Sequence, residues 1–351
     1  MLEQRRLQKL GYSTLMVSLP RDWVTQMNLK RGDMVNITSD DQGRLVIHPS
    51  LEVLKAKSRC IINAEKVDET LLGRLIIGTY IAGHETIEIR TKREELTPQQ
   101  LDIIRKTTNE LIGVGVVGQE VNKVTMQSFL DPSKFPINGL ISRLNLIVDS
   151  MRDLAVKALI EEKIEYAKQV IDMDVEADKV YFLATRQLLQ AVEDKGLAEK
   201  VGLENPRNIL GDRLVTKALE EVGDYAQVIA KSAMKIIDLR YFNADINTDI
   251  SQLNDMARRI GALAIRSLFR REVQSANEAI IEYGLLAEAE DKIDSQLDKR
   301  LASTITAVAT RLKSITGSIK QIGRYYTIAA ESMINRSVEA STDIAEVIAE
   351  D

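Results

Sequence analysis

After Pro206 no proline interrupts the remaining 145 residues of this 351-residue chain. Proline lacks the amide hydrogen that a helix needs and its ring clashes with the preceding turn, at a cost of about 3 kcal/mol. A stretch this long without it, rich in Ala, Leu, Ile, Glu, Lys and Arg, can run as long helices. Earlier in the chain stand Pro20, Pro49, Pro98, Pro132 and Pro136. Two of these fall in SFLDPSKFPING, Ser128–Gly139, which also carries an Asp-Pro step and is the expected hinge before a helical body.

Within residues 137–351 apolar side chains recur every three or four positions, as in LISRLNLIVDSMRDLAVKAL. The spacing predicts six helices: Leu140–Glu162, Glu165–Val192, Asn208–Leu239, Thr248–Arg271, Asn277–Thr304 and Val308–Glu339. They read as two sets of three, at about 138–240 and 246–342, because two segments align. ALEEVGDYAQVIAKS (Ala218–Ser232) matches SIKQIGRYYTIAAES (Ser318–Ser332), and DVEADKVY (Asp174–Tyr181) matches EDKIDSQL (Glu290–Leu297). Asp178 and Asp224 are 46 positions apart but Asp294 and Arg324 only 30, which places an insertion in the loop Glu193–Asn208.

The front of the chain is unlike this. Leu7–Leu19 and Met34–His48 are β-branched and alternating, the second a hairpin turning at SDDQG. PRDWVTQM between them opens with proline and reads as a short helix anchored by Trp23. About fifty residues of this kind have little core, so the unit is expected to complete itself with a second copy. Residues 51–132 alternate strand and helix, with Thr97 as a helix cap before Pro98. The expected architecture is therefore multidomain α+β: a β-rich head (1–50), a small α/β layer (51–132) and an all-α body (133–351).

Composition excludes several chemistries. One cysteine, Cys60, and two histidines, His48 and His84, leave no material for a Cys/His zinc site. No histidine falls in the body, which excludes a Glu-x-x-His di-iron bundle. A lone cysteine fits a reducing compartment, and neither a long apolar run nor a signal-like start is present, so a cytoplasmic protein without membrane insertion is expected. GVGVVG, Gly113–Gly118, spells a dinucleotide motif but follows a predicted helix and opens a strand, the reverse of what phosphate binding requires.

Two sets of charges carry chemistry. Asp174 and Asp178, and Glu220 and Asp224, are each four apart and so share a helix face, where like charges repel unless a cation bridges them. An all-carboxylate site favours hard or borderline cations such as magnesium, manganese or iron. In the second set Glu290 and Asp294 remain acidic but Lys320 and Arg324 replace the other pair, so a salt-bridged, metal-free counterpart is expected there. The formal charge of −5 hides a basic start: Arg5, Arg6, Lys9, Arg21, Lys30 and Arg31 oppose only Glu3 and Asp22 in residues 1–32. Residues 133–351 carry −6. The head thus suits phosphate contacts and a β-ribbon in a DNA groove.

RRLQKLGYSTLMVSLPRDWVTQMNLKRGDMVNI resembles the AbrB/SpoVT family through Gly11–Ser13–Thr14, Val17–Pro20, Trp23, and Leu29 with Gly32, Asp33 and Val35. The body resembles the PhoU family, whose helical repeats carry acidic E/D-x-x-x-D pairs. LEEVGD (Leu219–Asp224) keeps the Glu, Gly and Asp of that motif, whereas IKQIGR (Ile319–Arg324) keeps only Ile-Gly. Fusions of this kind look like archaeal phosphate-uptake regulators. The resemblance implies a swapped-hairpin barrel in a homodimer on DNA, iron or zinc at Asp174, Asp178, Glu220 and Asp224, and no enzyme activity. It also implies a role in phosphate homeostasis, with an adaptor that docks on a phosphate transporter or sensor, its head only dimerising, as the alternative.

Overall fold

The strand-like runs at the front pair as two hairpins. In the computed structural model, which describes residues 4–12, 14–39, 43–49, 59–92, 95–203, 205–300 and 306–338, the chain forms two compact units, Met1–Ser58 and Arg59–Asp351. The first unit pairs β1 (Gln8–Leu10) with β2 (Thr14–Met16), and β3 (Val35–Ser39) with β4 (Leu45–Pro49), both antiparallel. The turn residues 40–42, Ser13 and the expected boundary between residues 50 and 51 lie outside the described residues. Helix α1 (Arg21–Gln26) starts directly behind Pro20, whose carbonyl accepts the first helical bond from Val24. Among the described side chains of this unit Pro49 alone is buried, and Trp23 is only half-buried. A single copy leaves Trp23 half-buried, and the described residues of this unit form no closed core around it.

The second unit begins with a four-stranded sheet in the order β5-β6-β8-β7: Arg59–Asn63, Thr86–Arg90, Lys123–Ser128 and Val114–Glu120. β5 and β6 are parallel and are joined by helix α2 (Glu69–Ile81), the kind of crossover that parallel strands need. The other two pairs are antiparallel. Helix α3 (Pro98–Asn109) carries the expected cap as a full capping box, Thr97 and Gln100 each bonding the other's backbone. Ile62, Ile87, Ile89, Val124 and Met126 form the sheet side of a core that Leu72, Ile76 and Ile104 close from the helices. Cys60 lies half-buried within it, its sulfur facing the Thr79 hydroxyl at 3.7 Å. Gly113, first of the GVGVVG string, takes a left-handed φ of 71° at the turn into β7, where Leu130 fills the space a side chain would need. The string is a strand entry.

The body consists of α4 (Ile137–Ile160), α5 (Ile164–Glu193), α6 (Lys195–Lys200), α7 (Arg207–Asp238), α8 (Ala244–Arg270), α9 (Val273–Arg300) and α10 (Thr306–Ser337). The periodic segments thus form helices within a few residues of their predicted bounds, and the predicted ends at Thr304 and Glu339 lie outside the described residues. Helices α4, α5 and α7 pack as one three-helix set and α8, α9 and α10 as another, joined through α7 against α10 and α4 against α8. One apolar core runs through both, and each fully buried Leu, Ile or Val in it contributes roughly 1.5–3 kcal/mol. The helices approach closely at Gly261, where an added Cβ would stand 2.8 Å from the Tyr326 ring.

The expected hinge is a fastened connector. Asp131 caps a turn at Pro132–Lys134, and the Gln187 amide of α5 donates to the carbonyls of Pro132 and Phe135. Leu130 and Phe182 pack against both cores, so the α/β layer is seated on the body. The whole is a multidomain α+β protein with a helical bundle as its largest part.

Candidate carboxylate site and basic head

Helices α5 and α7 are held in register by Tyr181. Its hydroxyl accepts a hydrogen bond from Arg213 at 3.0 Å, and the Lys217 ammonium lies 5.8 Å from its ring centre. That register sets the acidic residues of the two helices opposite one another. Gln227 of α7 donates to Asp174 of α5, one turn before Asp178, while Glu220 and Asp224 project from the facing side of α7. Glu220, Glu221 and Asp224 bring carboxylate oxygens within 4.8 Å of one another.

The electrostatics follow from this crowding. Burial pushes the Asp178 carboxyl up to about 7, and the charges of Asp174, Glu220, Asp224 and Glu110 add to the rise. Asp174 is raised by burial and by Asp224, and Asp224 by burial and by Glu221. Lys217 pairs with Glu220, and with Glu221 at 2.8 Å. Burial nevertheless outweighs Lys217 at Glu220, whose carboxyl is also raised. Among the described residues no ion pair is made by Asp174, Asp178 or Asp224, although Lys231 lowers Asp174 in part, and Lys217 and, less strongly, Lys231 lower Asp224. The result is a cluster of carboxylates in which Glu220 and Glu221 are partly buried and Asp224 is exposed.

Four members of this neighbourhood escaped the sequence reading. Glu221 and Lys217 sit beside Glu220 on the same helix, and their spacing could have found them. Gln227 carries a weaker signal. Glu110 carries none, because its charge acts on Asp178 from the end of α3 in the α/β layer, a placement only the docking of that layer creates.

The second three-helix set is arranged differently. Lys320 of α10 pairs with Glu290 of α9 at 2.8 Å and with Asp291 at 2.9 Å. Asp294 accepts from the Thr316 hydroxyl at 2.8 Å. Arg324 does not join them. It turns along its own helix to Glu331 at 2.7 Å and to Thr327, which corrects the expectation of two bases facing two acids. Tyr225 and Tyr325, which follow the last motif residue in each set, meet with ring centres 5.8 Å apart.

In the head, Arg5, Arg6, Lys9, Arg21, Lys30 and Arg31 are all exposed. So are apolar side chains that a finished core would cover, among them Leu10, Leu15, Ile37 and Leu45. His48 lies on β4 and pairs through its backbone with Asn36.

Comparison with known families now has a geometry to refer to. Residues 141–233, which hold Asp174, Asp178, Glu220 and Asp224, match the PhoU domain model. The solved structure of PhoU from Pseudomonas aeruginosa superimposes with a TM-score of 0.52 at 15% identity, covering 56% of this chain and 93% of that one. The phosphate transport system regulatory protein PhoU from Streptococcus pneumoniae gives 0.50 at 14% identity, covering 59% and 96%. At such identities the likeness to PhoU structures is one of fold. Residues 8–53 match the model for antidote-toxin recognition MazE, a bacterial antitoxin. No curated protein matches the chain.

Proposed function

We propose that this chain is a DNA-binding transcriptional regulator of phosphate uptake, whose head contacts DNA and whose PhoU domain receives the signal. The observation that carries this reading is the union, in one chain, of an exposed basic head and a PhoU domain with under-compensated carboxylates. Residues 1–50 bind DNA and dimerise, 51–132 form the connecting layer, and 133–351 form the sensing body. Two copies of the head pack Leu10, Leu15, Ile37 and Leu45 together into a swapped-hairpin barrel and double the patch of Arg5, Arg6, Lys9, Arg21, Lys30 and Arg31. Phosphate contacts from such a patch supply affinity and register on the duplex.

In the body, Asp174, Asp178, Glu220 and Asp224 would hold a magnesium, manganese, iron or zinc ion, with Glu221 released from Lys217 as a further donor. When bound, the metal supplies positive charge that lets these carboxyls stay ionised together. In the second set Lys320 fills that electrostatic role, so one metal site is expected. The protein works without catalysis, in the cytoplasm; no helix among the described residues is long and apolar enough to cross a membrane.

The exposed apolar side chains of the head also suit an adaptor whose head only dimerises while the body docks on a phosphate transporter or sensor. A salt titration of binding to the DNA upstream of the protein's own gene separates the two. A regulator gives a steep negative log–log slope, and changing Arg5, Arg6 and Lys9 to alanine makes it shallower by about 0.9 for each phosphate no longer neutralised. No binding at low salt would overturn the DNA-binding reading in favour of the adaptor. Metal analysis of the purified protein against the Glu220→Lys, Asp224→Arg variant tests the cation site, and equal metal in both sinks it.

A further inference from the structure

Lys217 is the cation that the first three-helix set supplies for itself. It stands three residues before Glu220 and four before Glu221 on α7, and its ammonium pairs with both. The contact with Glu221 measures 2.8 Å. The two acids are largely covered, their side chains 15% and 25% exposed, whereas Lys217 is 42% exposed at the rim. One ammonium thus serves a group in which Glu220, Glu221 and Asp224 crowd their oxygens, and in which Glu220 and Asp224 also act on Asp178. The negative charge exceeds what one lysine can balance.

The ammonium also has a second seat. The centre of the Tyr181 ring on α5 lies 5.8 Å away, and a tyrosine face attracts a cation. With a flexible four-carbon stem and one side in water, Lys217 can leave the carboxylates without stranding its charge. The second set holds its lysine differently. Lys320 stands at the position matching Glu220, reaches Glu290 from the opposing helix and is only 27% exposed. At the position matching Lys217 that set has Gly317. One set therefore closes its acids with a lysine from across the helix pair. The other carries its lysine beside them in same-helix pairs, which are the weaker kind.

We propose that Lys217 is a tethered competitor for the cation site, holding Glu220 and Glu221 until a divalent ion displaces it toward Tyr181. The lysine then sets the ion concentration at which the site fills. It also selects against monovalent ions, which bring no more charge than an ammonium and lack its tether. This inference rests on the reading of the carboxylates as a cation site.

The test uses the full chain, stripped with a chelator and titrated with manganese(II) chloride in a calorimeter. Lys217→Met, which keeps an apolar stem and removes the charge, should bind the ion about tenfold more tightly than the unsubstituted chain. It should melt lower in chelator, where its acids have lost their partner, and at the same temperature in saturating manganese. Lys217→Arg, which keeps the charge, should bind no more tightly than the unsubstituted chain. Lys231→Met removes a charge that bonds Gln227 rather than a carboxylate, and should gain less than Lys217→Met. Equal gains at the two lysines would reveal a general field rather than a displaced side chain and overturn the proposal. Unchanged or weaker binding by Lys217→Met would overturn it while leaving the cation site standing. Binding by none of the chains would remove the site and the proposal together.

Discussion

Lys320 reaches Glu290 across two helices at 2.8 Å, and the position it matches in the first three-helix set is Glu220. The same helix pair thus closes in two ways. In one set the buried Glu290 is neutralised by a side chain of the protein, while in the other the carboxylates face each other with Lys217 at the edge. At aligned positions the two sets thus differ in the source of positive charge.

Lys320→Met should destabilise the body by about 1–3 kcal/mol, since it strands a carboxylate whose side chain is only 8% exposed. Urea denaturation at neutral pH measures this. The loss should shrink in acid, where Glu290, its carboxyl already raised by burial, takes up a proton.

Asp178 gives the metal-free protein a pH dependence of definite sign. Its folded carboxyl titrates at about 7, against about 3.9 in an unfolded chain. Between these values the folded state holds a proton that the unfolded state has released, so this group's contribution to stability falls as pH rises. After allowance for solvent screening the loss is on the order of 1–2 kcal/mol by pH 8. In buffer with a chelator, Asp178→Asn should flatten the difference between denaturation at pH 5 and pH 8; an unchanged slope would refute the assignment.

Arg186→Met should loosen the α/β layer from the body. The buried guanidinium donates to the Tyr80 carbonyl, to Gly83 at 3.0 Å and to His84 at 3.2 Å, capping the end of α2, and lies 4.8 Å from the Tyr80 ring centre. Its loss leaves several carbonyls without a donor, at about 1–3 kcal/mol each where water cannot enter. Hydrogen exchange should quicken in α2 and the sheet more than in α8 or α9.

Gly261→Leu should cost about 1–3 kcal/mol or more, because the Tyr326 ring already occupies the space beside Gly261 and is itself fully buried. A thermal melt detects it. The same change at Gly284, which has open space around it, should cost little and serves as the control.

Much of the architecture is legible in sequence because it is written locally. Apolar residues every three or four positions mark the faces of α4 to α10, and the proline-free run lets them extend. The Thr97 cap, the hairpin of β3 and β4, and the strand that follows Gly113 are likewise decided by neighbours in the chain. The four-residue spacings of Asp174 with Asp178 and of Glu220 with Asp224 needed only helix geometry to be placed on common faces.

What the chain could not declare locally depends on which surfaces meet. Arg324 has the charge to pair with Asp294, yet Glu331 on its own helix and the Thr316 hydroxyl beside Asp294 satisfy the two groups separately. Trp23 has the character of a core residue, but a single head offers it no core to enter. The charge of Glu110 acts on Asp178 from the α/β layer, which Arg186 and Phe182 seat on the body. Periodicity and capping, which act over a few residues, were fixed by the sequence alone. The partners of each buried charge were decided by tertiary packing, since a charge removed from water takes whichever counter-charge or donor the packed elements bring within reach.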